Sequence, residues 1–152
     1  MLKYIAPLGY LWALPHTIAG LLVAVTYYWP KDWRWSQGCI ECIPRRTLIG
    51  GKWVGAQTWG FLIFYADKEE RLRAPLRVHE RVHVIQAFIG GPFYPLAYGL
   101  HWLVLWPFKG WKNAYFMVWA ERWAYRVQAE YQKGQKPNAW GSFADEDEWA
   151  DS

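Results

Sequence analysis

His79 and His83 stand four residues apart, with Glu80 directly after the first, in His79-Glu80-Arg81-Val82-His83. On an α-helix that spacing puts two side chains on one face a turn apart, so both imidazoles can aim at a single ion. Glu80 then lies about 100° round the helix, within reach of a water on that ion. Two imidazoles with a free carboxylate beside them suit zinc, Zn2+, acting as a Lewis acid: the ion brings a water's pKa down to about 7, and Glu80 takes the proton as general base. The chemistry expected of such a group is hydrolysis of an amide bond. Two of the chain's four histidines fall in this one motif, which weighs against chance.

A catalytic zinc takes a third protein ligand and keeps one position open. The metzincin pattern requires Gly at 86 and His at 89; this chain has Gln86 and Ile89, which excludes that class. Toward the C-terminus, Arg122, Arg126, Glu130 and Lys133 form a polar helical stripe, and Glu121 falls about 140° from Arg126, among Met117, Ala120, Ala124 and Gln128. A carboxylate on the apolar face is costly unless it is paired or ligates a metal, so Glu121 is the expected third ligand. The alternative is a buried ion pair with an arginine of the motif helix. His101, in an apolar helix, and Glu130, on the polar stripe, are weaker substitutes. Tyr125, one turn beyond Glu121, is the expected donor to a developing oxyanion, with plain packing as its alternative role.

Positioning these groups falls to a small set of elements. Pro75 suits the first turn of a helix that runs to Ile89 and stops at Gly90-Gly91-Pro92. Ahead of it, Thr47 to Val54 and Ala56 to Tyr65 read as short strands or a hairpin, and the strand ending at Tyr65 is the expected sheet edge over the cleft. Lys31 to Arg46 reads as a polar loop. A buried helix is expected over Phe93 to Trp106, a turn at Lys109-Gly110-Trp111, and a long last helix capped by Asn113 and ending near Gly134. The expected fold class is α+β and mainly helical: a small β-hairpin or sheet before the motif helix, a C-terminal glutamate helix, and an apolar N-terminal helix over about 8–29. At 152 residues the chain is one domain, spanning 1–135, with an acidic, solvated tail over 136–152.

Net charge is +4, but the basic residues gather in no long patch, so no nucleic-acid partner is expected. Thirteen Trp and ten Tyr keep a membrane or a protein partner in play, since such rings favour interfaces. Tyr4 to Pro30 and Val82 to Phe108 each lack Asp, Glu, Lys and Arg over more than the roughly 20 residues a bilayer span needs. The first run can span a membrane, lie on it, or be buried with a kink at Pro15; no cleavable signal is expected, because only Lys3 precedes it and Tyr27, Tyr28 and Trp29 follow. If it spans, Lys31, Arg34, Arg45 and Arg46 put the bulk of the chain on the cytoplasmic side. The second run is broken by Gly90-Gly91-Pro92 and Pro95 and is not expected to span. Cys39 and Cys42 read as loop cysteines or a simple disulfide rather than a second metal site, for which two more ligands are missing.

The segments His79-Glu80-Arg81-Val82-His83-Val84-Ile85-Gln86, Gly91-Pro92-Phe93-Tyr94-Pro95 and Glu121-Arg122-Trp123-Ala124-Tyr125 together resemble minimal gluzincin-like proteins of bacteria and their phages. Leu14-Pro15-His16-Thr17-Ile18-Ala19-Gly20-Leu21 is similar to the segment that opens many of them, so the likeness runs from about residue 11 to 131. It implies a zincin-like fold, Glu121 as third ligand, and a membrane-associated or cytoplasmic place in a bacterial or phage-infected cell, or a place in a virion. The function expected is that of a zinc metallopeptidase acting on a peptide or protein. Two alternatives stand beside it: a non-catalytic membrane-associated or virion protein with a structural zinc, and an interaction protein whose His79 and His83 bind no metal.

Overall fold

The structure, a computed structural model, describes residues 2–134. The expected acidic tail, 136–152, lies outside the described residues. In chain order come α1 (Leu2–Val23), extended by a π-helical turn (Ala24–Tyr28), β1 (Asp32–Ser36), β2 (Cys39–Ile43), β3 (Ala56–Trp59), β4 (Leu62–Tyr65), α2 (Lys68–Leu72) and α3 (Ala74–Gly90). A 3-10 turn (Gly91–Phe93) leads into α4 (Tyr94–Lys109), followed by α5 (Trp111–Met117) and α6 (Trp119–Gln132). The fold is therefore α+β, mainly helical, with one four-stranded sheet ordered β1-β2-β4-β3, in which β2 and β4 run parallel and the other pairs antiparallel.

β4 reads Leu62-Ile63-Phe64-Tyr65, an apolar run without alternation, because both of its faces are covered. Leu62 and Phe64 pack with Ala24 and Tyr28 at the end of α1, while Ile63 and Tyr65 pack with Val84 of α3. β4 is thus interior to the sheet. The expected edge at Tyr65 is instead β3, which pairs with β4 on one side only.

Polar residues inside the apolar first helix have a structural task. Gly60, in the β3–β4 turn, donates its N–H to His16 Nδ1 at 3.1 Å, and Phe61 N–H donates to Thr17 Oγ1 at 3.2 Å. Burial pushes the His16 imidazole down to about 4, which keeps it neutral and able to accept. Gly60 has φ +66°, and a Cβ there would lie 2.0 Å from Thr17 Oγ1 and 2.9 Å from the Thr17 backbone nitrogen. Gly60→Ala is expected to cost about 2 kcal/mol or more, from left-handed strain plus overpacking; a urea denaturation midpoint equal to wild type would refute this docking of α1.

Several sequence expectations are corrected. Lys31 to Arg46 is not a loop but the β1–β2 hairpin, closed by Gln37 and Gly38, both at positive φ as a two-residue hairpin turn requires. Thr47 to Val54 forms turns and no strand. The last helix is two helices, since Val118 turns extended (ψ 136°) between α5 and α6, and Asn113 lies within α5 rather than capping it. The helix after the motif extends to Lys109 and is not buried: Tyr94 is its one buried residue. Cys39 and Cys42 are free thiols in β2, three residues apart on opposite faces of the sheet, in separate clusters with Ile63 and with Phe64. At about 3.3 Å per strand residue they are too far apart for a disulfide.

Candidate metal centre

The rotation of α3 is fixed by a buried charge cluster on the sheet. Glu41 of β2 is fully buried and pairs with Arg34 of β1 at 2.8 Å and with Arg77 and Arg81 of α3 at 3.3 and 3.2 Å. Breaking such a cluster would strand a charge in the interior, so it clamps the helix to the sheet in one orientation. With Arg77 and Arg81 turned to the sheet, His79 and His83 face α6, and Glu80 faces β3. The same clamp engages the motif-helix arginines considered as alternative ion-pair partners for Glu121, whose salt bridges are to the two histidines.

α6 docks on α3 through Val78, Val82, Ala124 and Val127, and this brings Glu121 over the two imidazoles. His79 Nε2 and His83 Nε2 are 3.2 Å apart, His79 Nε2 is 3.3 Å from Glu121 Oε2, and His83 Nε2 is 3.4 Å from Glu121 Oε1. All three residues are buried, and together they can hold a metal ion. Ligand atoms about 2.0–2.2 Å from a tetrahedral centre lie about 3.3–3.6 Å from one another; the two imidazole nitrogens stand close to that separation, and each oxygen of Glu121 lies at that distance from one of them. Glu121 Oε2 is buried and accepts no hydrogen bond. An ionised oxygen left that way costs free energy that a cation recovers. The residues therefore fit a metal.

Without a metal, two nitrogen lone pairs would face each other, and a proton must take the cation's part. Burial alone pushes the His83 imidazole down, but the neighbouring Glu121 carboxylate overcomes it and raises the pKa to about 9. Glu121 is likewise pushed up by burial and then held far below the ordinary carboxylate range by His83 and His79.

Behind His83 stands a set of partners that the sequence did not single out. Gln86 Nε2 donates to the Ala120 carbonyl of α6 at 3.0 Å, so its Oε1 points at His83 Nδ1, 2.8 Å away. An acceptor there makes Nδ1 the protonated nitrogen and leaves the Nε2 lone pair for the ion. Tyr94 adds its hydroxyl, donating to the same Oε1 at 2.8 Å, and Tyr98 donates to Glu121 Oε1 at 2.8 Å. The available signal was position: Gln86 lies three residues after His83, on its own face of the helix. Gln86→Ala is expected to weaken metal binding about 10- to 100-fold with the fold retained; affinity within twofold of wild type would show that Gln86 does not set the tautomer.

Glu80 is buried against the sheet edge, where the Thr58 hydroxyl of β3 donates to its Oε2 at 2.7 Å. Tyr125 is 40 % exposed, with its ring edge-on to His79 at 4.5 Å between centroids. Burial and the nearby Glu121 and Glu80 carboxylates push its phenol up to about 12, so it remains a donor at neutral pH. The two substitutes considered for the third ligand are not in the group: His101 Nδ1 accepts the N–H of Trp119 at the start of α6, and Glu130 lies more than two turns beyond Glu121. No protein-family model, curated protein or solved structure matches the chain.

Proposed function

We propose that this chain is a zinc-dependent metallopeptidase of the gluzincin type, with His79, His83 and Glu121 holding the ion and Glu80 as general base. One observation carries the reading: three buried residues from two helices bring ligand atoms within 4.8 Å of one another, while Glu80 stands outside that group with its Oε2 held by Thr58. Two imidazoles and a carboxylate are a zinc donor set, and when bound the ion supplies Lewis acidity, acidifying water and polarising a carbonyl. Among the described residues the group offers three His or Glu donors, one fewer than a structural zinc takes, which favours the catalytic reading over a structural one.

The chain's own residues divide the remaining work. Glu80 accepts a proton on the carboxylate oxygen that Thr58 leaves free and passes it to the leaving amine. Thr58 holds that carboxylate at the β3 edge, and the unpaired side of β3 offers main-chain groups to an extended peptide. Tyr125, protonated and partly exposed, donates to the developing oxyanion.

Metal content and hydrolysis test this together. Purified full-length protein is expected to carry about one zinc per chain by atomic emission, and to cleave a quenched-fluorescent peptide library in a way that a chelator stops and stoichiometric zinc restores. Protein grown with zinc that carries none, or cleavage indifferent to the chelator, would rule the function out.

A further inference from the structure

α1 and α4 each leave a long apolar flank uncovered. Along α1 and the turn that ends it, Leu8, Leu11, Ile18, Leu22, Val25 and Trp29 stand three, four or seven residues apart and are 48 to 68 % exposed. α4 buries only Tyr94 and presents Leu96, Leu100, Leu103, Val104 and Phe108, the last 80 % exposed. Nothing else in the described chain covers them, and patches larger than a few hundred Å² are rare on proteins that stay in water. The two helices are linked through the segments that flank α4. Trp12 of α1 donates its indole N–H to the Ile89 carbonyl at 3.3 Å and lies 6.2 Å from the ring of Phe93, just before α4. At the far end, Ile49 N–H donates to the Tyr28 hydroxyl, and Trp53 of the same loop packs on Tyr115 of α5, which follows α4.

The rim of this face is basic. Lys31, Arg45, Arg46, Lys109 and Lys112 are exposed near the ends of the two helices, with Arg46 over the Tyr27 ring and Lys112 over the Trp53 ring at 5.5 and 5.4 Å. Neither uncharged run, Tyr4 to Pro30 or Val82 to Phe108, contributes an acid. The exposed acidic side chains among the described residues, Asp67 and Glu69, lie at α2. We propose that the outer flanks of α1 and α4 form one surface that docks on an anionic lipid bilayer, with both helices lying in its plane. A second copy of the chain would bring two basic rims together; anionic headgroups complement them, and rings beside them suit the headgroup level.

In-plane docking follows from what α1 carries on its other flank. By length and composition Pro7–Tyr28 would cross a bilayer. Ala13, Thr17, Ala24 and Tyr28 are nevertheless buried along it, against α3 and the sheet. Driving α1 through a bilayer would carry the open β3 edge into hydrocarbon, where unpaired backbone groups cost several kcal/mol each. A helix with one flank on protein and one apolar flank outward rests at the interface. The surface includes α4, beyond the N-terminal segment 8–29 that the sequence pointed to, and does not depend on metal in the site.

Sedimentation with vesicles tests it on the full chain. Wild type is expected to pellet with phosphatidylcholine–phosphatidylglycerol vesicles at least about tenfold more tightly than with phosphatidylcholine alone. Leu100→Glu combined with Leu103→Glu, both half-exposed on α4, is expected to cut that binding about tenfold or more with an unchanged helical signal. Should that variant unfold, a polarity-sensitive dye on Phe108→Cys decides, the native thiols being buried: its emission must shift to the blue on anionic vesicles. Undiminished binding by the folded α4 variant, dye emission that vesicles leave unchanged, or a stoichiometric dimer that ignores vesicles and dissociates in the variant would each overturn the proposal.

Discussion

Glu121→Gln is expected to weaken metal binding by at least about a hundredfold, more than the loss of a partner one shell further out. The amide keeps the shape of the side chain and removes its charge. In the native site one oxygen of Glu121 stands against His79 and the other against His83, at 3.3 and 3.4 Å, so the carboxylate supplies the negative charge that a divalent ion needs among two neutral imidazoles. Competition against a zinc-chelating dye measures the change, with Glu130→Gln, further along α6 and outside the group, as the control expected to bind like wild type. The pH dependence carries a sign as well. Metal-free His83 keeps its proton up to about pH 9, whereas Glu121 is already ionised across the neutral range, so uptake of the ion releases the histidine proton. Affinity should therefore rise about tenfold per pH unit below that value and flatten above it. A Glu121→Gln protein that competes for zinc within threefold of wild type would remove Glu121 from the ligand set.

The three residues that can hold a metal ion were legible in the sequence because each obeys a local rule. Spacing alone aligned His79 with His83, and the angle from the Arg126 stripe turned Glu121 inward even though its helix begins at Trp119 rather than Asn113. What escaped depends on contacts between elements. Gln86 matters because its amide meets the carbonyl of Ala120 on another helix, and Thr58 because β3 rather than β4 is the edge strand. The β1–β2 hairpin was hidden by its own charges: Arg34 and Glu41 read as loop residues, yet they pair across adjacent strands at the centre of the clamp on α3. The break at Val118 had no sequence signal of the usual kind, neither glycine nor proline. It is held by burial of Val118 and by His101, which accepts the first N–H of α6. α4 was expected to be buried because it is apolar, but apolar composition does not say which helix is covered, and here only Tyr94 is.

Glu80→Gln is expected to lower peptide hydrolysis by about a hundredfold to ten-thousandfold, the range for a general base, while zinc content stays at wild-type level. The two readouts separate because of where Glu80 points. Its carboxylate is not in the ligand group; it lies against β3, where Thr58 donates to Oε2. A glutamine there can still accept from Thr58 through its carbonyl oxygen, so the packing of α3 against the sheet survives, but it can no longer take a proton at neutral pH. Thr58→Val provides the graded comparison. It leaves the base in place without its hydrogen bond, and is expected to slow turnover about tenfold through misplacement of the carboxylate. A Glu80→Gln protein that hydrolyses peptide at the wild-type rate with its zinc intact would show that Glu80 is a packing residue at the sheet edge and not the general base.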